Sequence, residues 1–259
     1  MKILAVETAT ARQSVAILED DTIVAQRDQD AEGAHGAVLL PAIDGLLTQC
    51  GWSLRSLDGL VCSIGPGSFT GIRVGIATCL GLRAATGLPL ALVPTLEAMA
   101  WHIRTTSLLI CPVLTSRRGE VYWALFRWTA EGRLDRVLRE QVGTPNRLAR
   151  SLTEETMIFG SGWVAMESEI RRALSVTVTV GSESAMMPSA VHVAQVGLMR
   201  LRQGEIAGDV VTPLYVQRAE AEVQYDQSGG ISPVVRRQKR VEKKVAERLA
   251  RGRRRAEQS

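Results

Sequence analysis

The feature that most constrains the fold of this chain is the glycine-rich turn at residues 65–71, which reads Gly-Pro-Gly-Ser-Phe-Thr-Gly. It follows the apolar run 60–64, which is typical of a buried strand, and it precedes a helix-compatible segment that continues to about Ala85. Glycine allows backbone angles that other residues avoid, and Pro66 disfavours helical geometry in the residue before it. The sequence therefore predicts a tight turn from a strand into a helix.

This turn is also a candidate binding site for an anion. Ser68 or Thr70 is suited to cap the first turn of the helix, because a hydroxyl oxygen accepts a free backbone N–H. The remaining free N–H groups and the positive end of the helix favour negative charge. Gly67, Ser68 and Thr70 are therefore predicted contacts for an anion or a nucleotide, although most helices begin in this way without binding a ligand.

The helix after the turn carries small residues at helical spacing. Gly71, Gly75, Thr78 and Cys79 fall on one face, and glycine inside a helix costs about 1 kcal/mol relative to alanine. We expect a close approach of another backbone to offset that cost. The approaching backbone belongs either to the same domain or to a partner helix, and the spacing alone does not choose between them.

Hydrophobic periodicity along the chain predicts the order β-β-β-α-β-α-β-α twice. In the first half, strand patterns begin at residues 2, 14 and 22, and a helical pattern runs from His35 to Cys50. Pro41 lies within it, so either the regular helix begins near Leu40 or the helix bends at Pro41. In the second half, strand patterns occupy residues 108–114, 120–128, 136–142, 157–159 and 176–180, and helical patterns occupy residues 145–152, 163–174 and 190–202. This duplicated α/β order resembles the two-lobed actin, hexokinase and Hsp70-like (ASKHA) fold.

The predicted domain organisation is two lobes, a linker and a tail. Residues 1–104 form the N-terminal lobe and residues 105–226 the C-terminal lobe, followed by a turn-rich linker at 227–235 and a basic tail at 236–259. The tail contains eleven Lys/Arg and three Asp/Glu, so it carries a charge of +8 while the rest of the chain carries −4. The alkaline isoelectric point therefore belongs to the tail.

The four cysteines and the apolar runs indicate the compartment. Cys50, Cys62, Cys79 and Cys111 form no Cys-X-X-Cys pair and are predicted to be buried free thiols of a reducing compartment. The longest apolar runs are shorter than the roughly 18 residues that span a bilayer, and Glu7 interrupts the N-terminal run early. We therefore expect a soluble, cytoplasmic protein.

Residues 65–90, GPGSFTGIRVGIATCLGLRAATGLPL, resemble the signature of the TsaB (YeaZ) family of tRNA threonylcarbamoyladenosine biosynthesis proteins. The resemblance covers roughly residues 1–218. It implies the two-lobed fold and a noncatalytic subunit that pairs with the catalytic subunit TsaD, joined by the ATPase TsaE. Together these subunits form threonylcarbamoyladenosine next to the tRNA anticodon. The resemblance implies no intrinsic cofactor, with ATP and Mg used by the complex, and a homodimer when the chain is alone.

The same resemblance implies where the partner binds. The pairing would use a helix bundle built from the first two helices. The residues proposed for this interface on that basis are Leu39, Ile43, Ile72, Gly75, Ile76 and Cys79. On this view, Gly75→Leu leaves the monomer folded but abolishes pairing with TsaD.

The end of the first strand is a second candidate position for chemistry. Glu7-Thr8-Ala9-Thr10 is similar to the Asp-Thr-Ala-Thr of the family, and in nucleotide-using members of the fold this position holds metal and phosphates. Thr8 is therefore a further predicted anion or nucleotide contact, and Glu7 either keeps a carboxylate role or only caps a turn. His35, His102 and His192 are far apart in sequence and show no metal-ligand spacing, so we predict no metal site and no catalytic residue.

A further segment, residues 115–122, resembles a family stretch that usually begins Asp-Ala-Arg. Arg117, Glu120 and Tyr122 match it, whereas Thr115 replaces the aspartate. The alternative interpretation is an exposed hairpin with alternating strand faces.

The basic tail has two interpretations. It is either a solvated extension or a helix that forms against the tRNA phosphate backbone, with affinity that falls as salt rises. The candidate RNA contacts are Arg236, Arg237, Lys239, Arg240, Arg253, Arg254 and Arg255. Three function classes therefore remain open from sequence: the noncatalytic subunit, an enzyme (an ASKHA-type phosphotransferase or a metallopeptidase), and an RNA-binding module that acts through the tail.

Overall fold

The computed structural model describes residues 1–31, 33–104, 106–117 and 119–217. In the first half the elements are β1 (Lys2–Glu7), β2 (Arg12–Glu19), β3 (Thr22–Asp30), α1 (His35–Gln49), β4 (Gly59–Ser63), α2 (Phe69–Thr86), β5 (Leu90–Val93) and α3 (Thr95–Trp101). In the second half they are β6 (Leu109–Thr115), β7 (Val121–Trp128), β8 (Leu134–Gly143), α4 (Pro145–Ser151), β9 (Thr156–Phe159), α5 (Ser161–Ala173), β10 (Val178–Val180) and α6 (Ala190–Arg202). The predicted element order is confirmed in both halves.

The two halves build sheets of the same topology. The first sheet has the order β3-β2-β1-β4-β5, and the second has the order β8-β7-β6-β9-β10. In each, the first three strands form an antiparallel meander, and the last two strands continue the sheet in parallel with the first strand of the half. This duplication confirms the predicted α/β fold of the ASKHA class.

Both faces of the first sheet are buried, because the alternating residues of each strand pack against different helices. On β1, Leu4 and Val6 join a core with the inward faces of α1 and α2. Ile3 and Ala5 join a second core on the opposite face, with α6. The chain therefore returns to its first sheet after it has built the second.

The second sheet is likewise covered on both faces. Leu109, Cys111 and Val113 of β6 pack with α4 and α5. Ile110 and Leu114 face the other way and pack with Leu96 and Met99 of α3. Helix α3, which follows the first sheet in sequence, thus contributes to the core of the second.

An irregular segment after α6 runs along α2. Near the C-terminal end of α2, Arg83 Nη1 donates a hydrogen bond to the carbonyl oxygen of Gly208 at 2.9 Å. Near its N-terminal end, Tyr215 stacks on Phe69 with ring centroids 4.5 Å apart, and Arg73 Nε donates to the Tyr215 hydroxyl at 2.8 Å. One flank of α2 is therefore covered by the chain itself.

Some boundaries differ from the sequence prediction. Helix α1 begins at His35 and Pro41 lies in its interior, so the alternative in which the helix begins near Leu40 is wrong. Strand β10 begins at Val178, two residues later than predicted, and α5 begins at Ser161, two residues earlier. Short 3-10 turns at Leu54–Ser56 and Glu183–Ala185 were not predicted from the sequence.

Residues Met1–Val216 form one compact unit. The boundary between residues 104 and 105 stays a prediction, and the linker at 227–235 and the tail at 236–259 lie outside the described residues. Among the helices of the described residues, none combines the length and the apolar character needed to cross a membrane.

Candidate functional site

The glycine turn forms as the sequence predicts. Gly67 has a φ of +154°, and a Cβ at this position would lie 2.1 Å from the carbonyl oxygen of Ala9, so only glycine fits. The next residue, Ser68, donates its N–H to that same oxygen at 2.6 Å. Its Oγ accepts the N–H of Gly71 at 3.2 Å, which confirms Ser68 as the N-cap of α2. The turn is thereby joined to the turn between β1 and β2.

The backbone that approaches the small face of α2 belongs to the same chain. A Cβ on Gly71 would lie 2.0 Å from the carbonyl oxygen of Thr8, and one on Gly75 would lie 2.3 Å from Thr8 Oγ1. Thr8 Oγ1 donates to the carbonyl oxygen of Gly71 at 2.8 Å. Of the two alternatives for this face, the structure shows contact within the domain. It contradicts the expectation that Gly75→Leu leaves the fold intact, because a side chain there collides with Thr8.

The six residues proposed for the partner interface all lie on the inward faces of α1 and α2. They are Leu39, Ile43, Ile72, Gly75, Ile76 and Cys79, and all six are buried. These residues have the apolar spacing of a helix face that is buried, and this spacing is the same whether the face packs in a core or against a partner. Whether a partner binds the two helices stays a prediction, but these side chains are occupied by the core of their own chain.

The outward faces of α1 and α2 are exposed and carry small or apolar residues. Leu40 is 53% exposed, the most exposed large hydrophobic side chain of these two helices. The other exposed small or apolar residues of the two helices are Gly36, Ala37, Pro41, Ala77, Gly81, Ala84 and Ala85. We call this surface the outward helix face. In the sequence, the outward helix face corresponds to the small residues that lie between the buried apolar positions of α1 and α2.

Glu7 ends β1 in complete burial. Its Oε1 accepts the N–H of Ala9 at 2.5 Å, whereas Oε2 has no hydrogen-bond partner. The hydroxyl groups of Ser63 and Thr95 lie near the carboxyl group and favour its charged form, but neither completes a well-aligned hydrogen bond. Desolvation outweighs these interactions and raises the pKa of Glu7 to about 7. Of the two interpretations of Glu7, the turn contact through Ala9 is present.

A surface cavity of about 370 Å³ opens where α1 and α2 begin. It is lined by Ala11, Gly33, His35, Gly36, Ser68, Thr70 and Val74. The predicted anion contacts Ser68 and Thr70 therefore lie in one cavity, whereas Gly67 and Thr8 are turned toward contacts within the chain and do not line it. Neither helix has an acidic residue in its first turn. The role of these residues in binding stays a prediction.

His35 is the first residue of α1, where the sequence predicts that the helical pattern begins. Its side chain is 6% exposed, and Nδ1 is buried without a hydrogen-bond partner. Its Nε2 lies 3.4 Å from where a Cβ on Gly71 would be, and the nearby backbone of Thr10 favours the charged ring. Burial lowers the pKa of His35 below its ordinary value, which favours the neutral ring.

The structure pairs the other two histidines, which the sequence could not show. The rings of His102 and His192 lie 4.2 Å apart between centroids, and His102 Nε2 lies 3.3 Å from Ser184 Oγ. Burial, followed by the neighbouring His102, lowers the pKa of His192 to about 4. Within the described residues, no group of three or more His, Cys, Asp or Glu side chains is arranged to hold a metal ion.

The family-like segment contributes Thr115 to the end of β6 and Val121 and Tyr122 to the start of β7, and these strands pair antiparallel as the hairpin interpretation predicts. Ser116 donates its N–H to the carbonyl oxygen of Glu120 at 2.9 Å, and Glu120 donates to that of Arg117 at 3.0 Å. The seven candidate RNA contacts of the tail, Arg236, Arg237, Lys239, Arg240, Arg253, Arg254 and Arg255, lie outside the described residues.

Comparisons with known proteins agree with the fold. The model of the family described as "TsaD: tRNA N6-adenosine threonylcarbamoyltransferase" matches residues 24–225. The tRNA threonylcarbamoyladenosine biosynthesis protein TsaB of Bacillus subtilis is 27% identical over 88% of this chain and 99% of its own length, and the Escherichia coli TsaB is 29% identical over 84% and 95%. A crystal structure of a Pseudomonas aeruginosa protein described as similar to peptidase YeaZ superposes with a TM-score of 0.71 at 23% identity, covering 83% of this chain and 99% of that one.

The family model covers more than three quarters of the chain, and the curated relatives match it over nearly their whole length. The resemblance of residues 65–90 to the TsaB signature is therefore part of a match that spans both sheets. The chain belongs to the family of tRNA N6-adenosine threonylcarbamoyltransferase-related proteins, and within it to the TsaB (YeaZ) proteins of tRNA threonylcarbamoyladenosine biosynthesis.

Proposed function

We propose that this chain is the noncatalytic subunit of a threonylcarbamoyladenosine-forming complex, and that it binds a TsaD-like catalytic subunit through the outward helix face. The observation that carries the proposal is the exposure of Leu40 and its small neighbours on two helices whose inward faces are fully used by the core. Such surfaces allow another helix pair to approach closely, with shape complementarity as the main contribution. When no TsaD-like subunit is present, a second copy of the chain covers the same face.

The environment of Glu7 supports a noncatalytic role. In nucleotide-using members of the fold, the residue in this position holds metal and phosphates, whereas here the carboxyl group is buried and its turn is closed by α2. Thr8 likewise uses its hydroxyl in a hydrogen bond to the Gly71 carbonyl oxygen. The groups that resemble a reactive site are therefore engaged in holding β1 against α2.

The proposal is tested by the affinity of the purified chain for the TsaD-like protein of the same organism. We expect Leu40→Arg, Ala77→Arg and the double variant to weaken the complex by at least about 30-fold, because a central interface residue is worth about 2 kcal/mol or more. Both positions are exposed, so the isolated variants should fold as the wild type does. Affinity is measured by calorimetry and complex formation by size-exclusion chromatography.

Val164→Arg is the matched control, because Val164 is 62% exposed on α5, a helix of the second half. It should bind the TsaD-like subunit as the wild type does. Equal affinity of all variants would contradict the outward helix face as the interface. Absence of binding by the wild-type chain would contradict the partner itself.

A reconstitution then tests the function. The chain, the TsaD-like subunit, a TsaE-like ATPase, ATP, Mg²⁺ and tRNA should form threonylcarbamoyladenosine only when the chain is present, and Leu40→Arg should reduce the yield in proportion to its loss of binding. Formation of the product by the isolated chain would contradict the noncatalytic role.

A further inference from the structure

The described chain ends beside the N-terminal end of α2. After α6 the backbone runs along this helix, and Leu214 donates its N–H to the carbonyl oxygen of Ile64 at 2.8 Å. Tyr215 then stacks on Phe69, the first residue of α2, with ring centroids 4.5 Å apart. The last described residue, Gln217, follows two positions later. The rest of the chain is therefore connected to the body of the protein at this point.

An arginine at the same point is positioned to bind phosphate. Arg73 is exposed, its guanidinium carbon lies 3.8 Å from the centroid of the Phe69 ring, and its Nε donates to the Tyr215 hydroxyl at 2.8 Å. These two contacts restrict the guanidinium group, so the binding of a phosphate costs less side-chain entropy. The contact to Tyr215 uses Nε, and the two Nη groups of an arginine can both donate to one phosphate group.

The basic tail, residues 236–259, supplies most of the positive charge near this arginine along the chain. It lies outside the described residues, and its sequence contains eleven Lys/Arg and three Asp/Glu. The match of the family model ends at residue 225, so the tail is not part of what that model describes. A charge of +8 within 24 residues favours a polyanion as the ligand.

The composition of the tail and the family of the chain favour RNA as the polyanion. Basic segments that bind membrane surfaces combine Lys and Arg with large side chains such as Trp, Phe and Leu. The tail has no aromatic residue, and Val241, Val245 and Leu249 are its only large apolar residues. The chain belongs to a family of tRNA threonylcarbamoyladenosine biosynthesis proteins, so tRNA is the polyanion that this pathway modifies. Because aromatic residues for base stacking are missing from the tail, contacts to phosphate would carry the affinity.

We propose that Arg73 and the basic tail together bind the phosphate backbone of tRNA. The seven candidate RNA contacts of the tail bind phosphates without reading the base sequence, and Arg73 binds a further phosphate beside α2. Residues 218–235, which connect the two parts, span at most about 60 Å in any conformation.

The position of Arg73 also relates the RNA to the partner. Arg73 lies four residues before Ala77 of the outward helix face, so tRNA that contacts it is held next to the TsaD-like subunit. This placement rests on the proposed function, whereas the binding of tRNA by the chain alone does not.

The test measures the affinity of the full-length chain for unmodified tRNA, without any partner, by fluorescence anisotropy. Between about 50 mM and about 200 mM salt the affinity of the wild type should fall by about a thousandfold or more, as eight phosphate contacts require. The triple tail variant, Arg253→Gln with Arg254→Gln and Arg255→Gln, should lower the slope of log affinity against log salt by about two. Arg73→Gln should lower it by about one, whereas Arg73→Lys should keep the slope.

A triple variant of the body is the matched control. Arg139→Gln, Arg150→Gln and Arg172→Gln remove the same charge from exposed positions of the second half and should keep the wild-type slope. The tail variant changes only residues outside the compact unit Met1–Val216, so a loss of tRNA binding in it does not come from unfolding of that unit.

The reconstituted reaction separates this proposal from the proposed function. The triple tail variant should bind the TsaD-like subunit as the wild type does, raise the KM for tRNA in proportion to its loss of affinity, and keep kcat. If the wild type bound tRNA through its tail but did not bind the TsaD-like subunit, the proposed function would fail and tRNA binding would stand.

Four results would overturn the proposal. The first is an equal salt slope for the wild type and the triple tail variant. The second is an equal loss of slope in the triple variant of the body. The third is an unchanged slope in Arg73→Gln, which would remove Arg73 from the binding surface. The fourth is tail-dependent binding to phosphatidylglycerol vesicles without binding to tRNA at about 150 mM salt, which would make a membrane the ligand.

Discussion

Glu7, at the end of β1, shows how one buried residue makes the stability of the protein depend on pH. Its carboxyl group is fully buried and keeps one good hydrogen bond, from the Ala9 N–H. Burial raises the pKa of Glu7 from 4.5 to about 7. The folded state therefore favours the protonated form, so this residue opposes folding increasingly as the pH rises above 4.5, where the unfolded chain loses the proton first.

We expect Glu7→Gln to change the pH dependence of stability. In the wild type, the contribution of Glu7 to the free energy of unfolding is fully present below pH 4.5 and is lost as the pH rises through about 7. Between pH 4.5 and pH 7 the free energy of unfolding of the variant should rise by about 3 kcal/mol relative to that of the wild type, since one pKa unit corresponds to about 1.4 kcal/mol. Urea unfolding of both proteins at several pH values measures the difference.

Because the wild type and Glu7→Gln are compared at each pH, the contributions of other titrating groups to stability cancel in the difference. The pKa of His192 is lowered to about 4, so its own contribution falls as the pH falls below 6.5, in the opposite direction to that of Glu7. This contribution is common to both proteins and cancels in the difference. If the difference in free energy of unfolding between the two proteins stayed constant from pH 4.5 to pH 7, Glu7 would be charged in the folded state and the raised pKa would be wrong.

At the scale of elements, α2 is a helix whose glycines have different physical roles. Gly71 and Gly75 allow Thr8 to contact the helix, and Gly87 ends it with a φ of +74°. Gly81 is exposed, and a Cβ there would meet nothing within 4 Å. The close approach stabilises the junction of β1 and α2, and this offsets the intrinsic cost of the two inner glycines.

Alanine substitutions at two of these glycines should therefore have opposite effects. Gly71→Ala places a Cβ 2.0 Å from the Thr8 carbonyl oxygen and should lower the free energy of unfolding by about 2 kcal/mol or more, because backbone must shift. Gly81→Ala should raise it by up to about 1 kcal/mol through helix propensity. Chemical denaturation of both variants measures these effects. Two changes of the same sign would contradict the assigned contact.

At the scale of the whole molecule, a group of charges on α3 joins the second sheet to α6. Glu97 accepts hydrogen bonds from Arg136 of β8 and from Arg200 of α6, both at 2.5 Å. Its side chain is 15% exposed, so the pair of contacts is shielded from solvent more than an ordinary surface ion pair is. Arg200 also donates to the carbonyl oxygen of Leu92 on β5. These contacts connect the two sheets through one carboxylate.

We expect Glu97→Gln to destabilise the protein by roughly 2 kcal/mol, because it removes the nearest anion of two half-buried guanidinium groups. Arg136 and Arg200 then keep only their longer contacts, to Glu140 at 3.4 Å and to Glu205 at 3.9 Å. Glu167→Gln removes an exposed pair with Arg171 within α5 and should cost less than about 0.5 kcal/mol. Thermal unfolding of both variants provides the comparison. Equal and small effects would show that the Glu97 contacts do not hold the two sheets together.

The sequence by itself determined the order and type of the elements and the turn at residues 65–71. These follow from local physics, namely the alternation of apolar residues in strands, their helical spacing in α1 and α2, and the conformations that glycine and proline allow. The exact start of α1 was open because Pro41 is compatible with more than one beginning. The resemblance to the TsaB family was also visible in a local stretch, residues 65–90.

Only the tertiary structure decided which face of a helix is free and which distant residues meet. The spacing of Leu39, Ile43 and Ile76 is the same for a core as for an interface, so their burial followed only from the packing of α1 and α2 on the first sheet. Likewise, His35 and Thr70 are separated by two elements in sequence and share a cavity because two helices begin side by side. The physical reason is that burial and contact are properties of the packed chain, whereas sequence periodicity records only that a face is apolar.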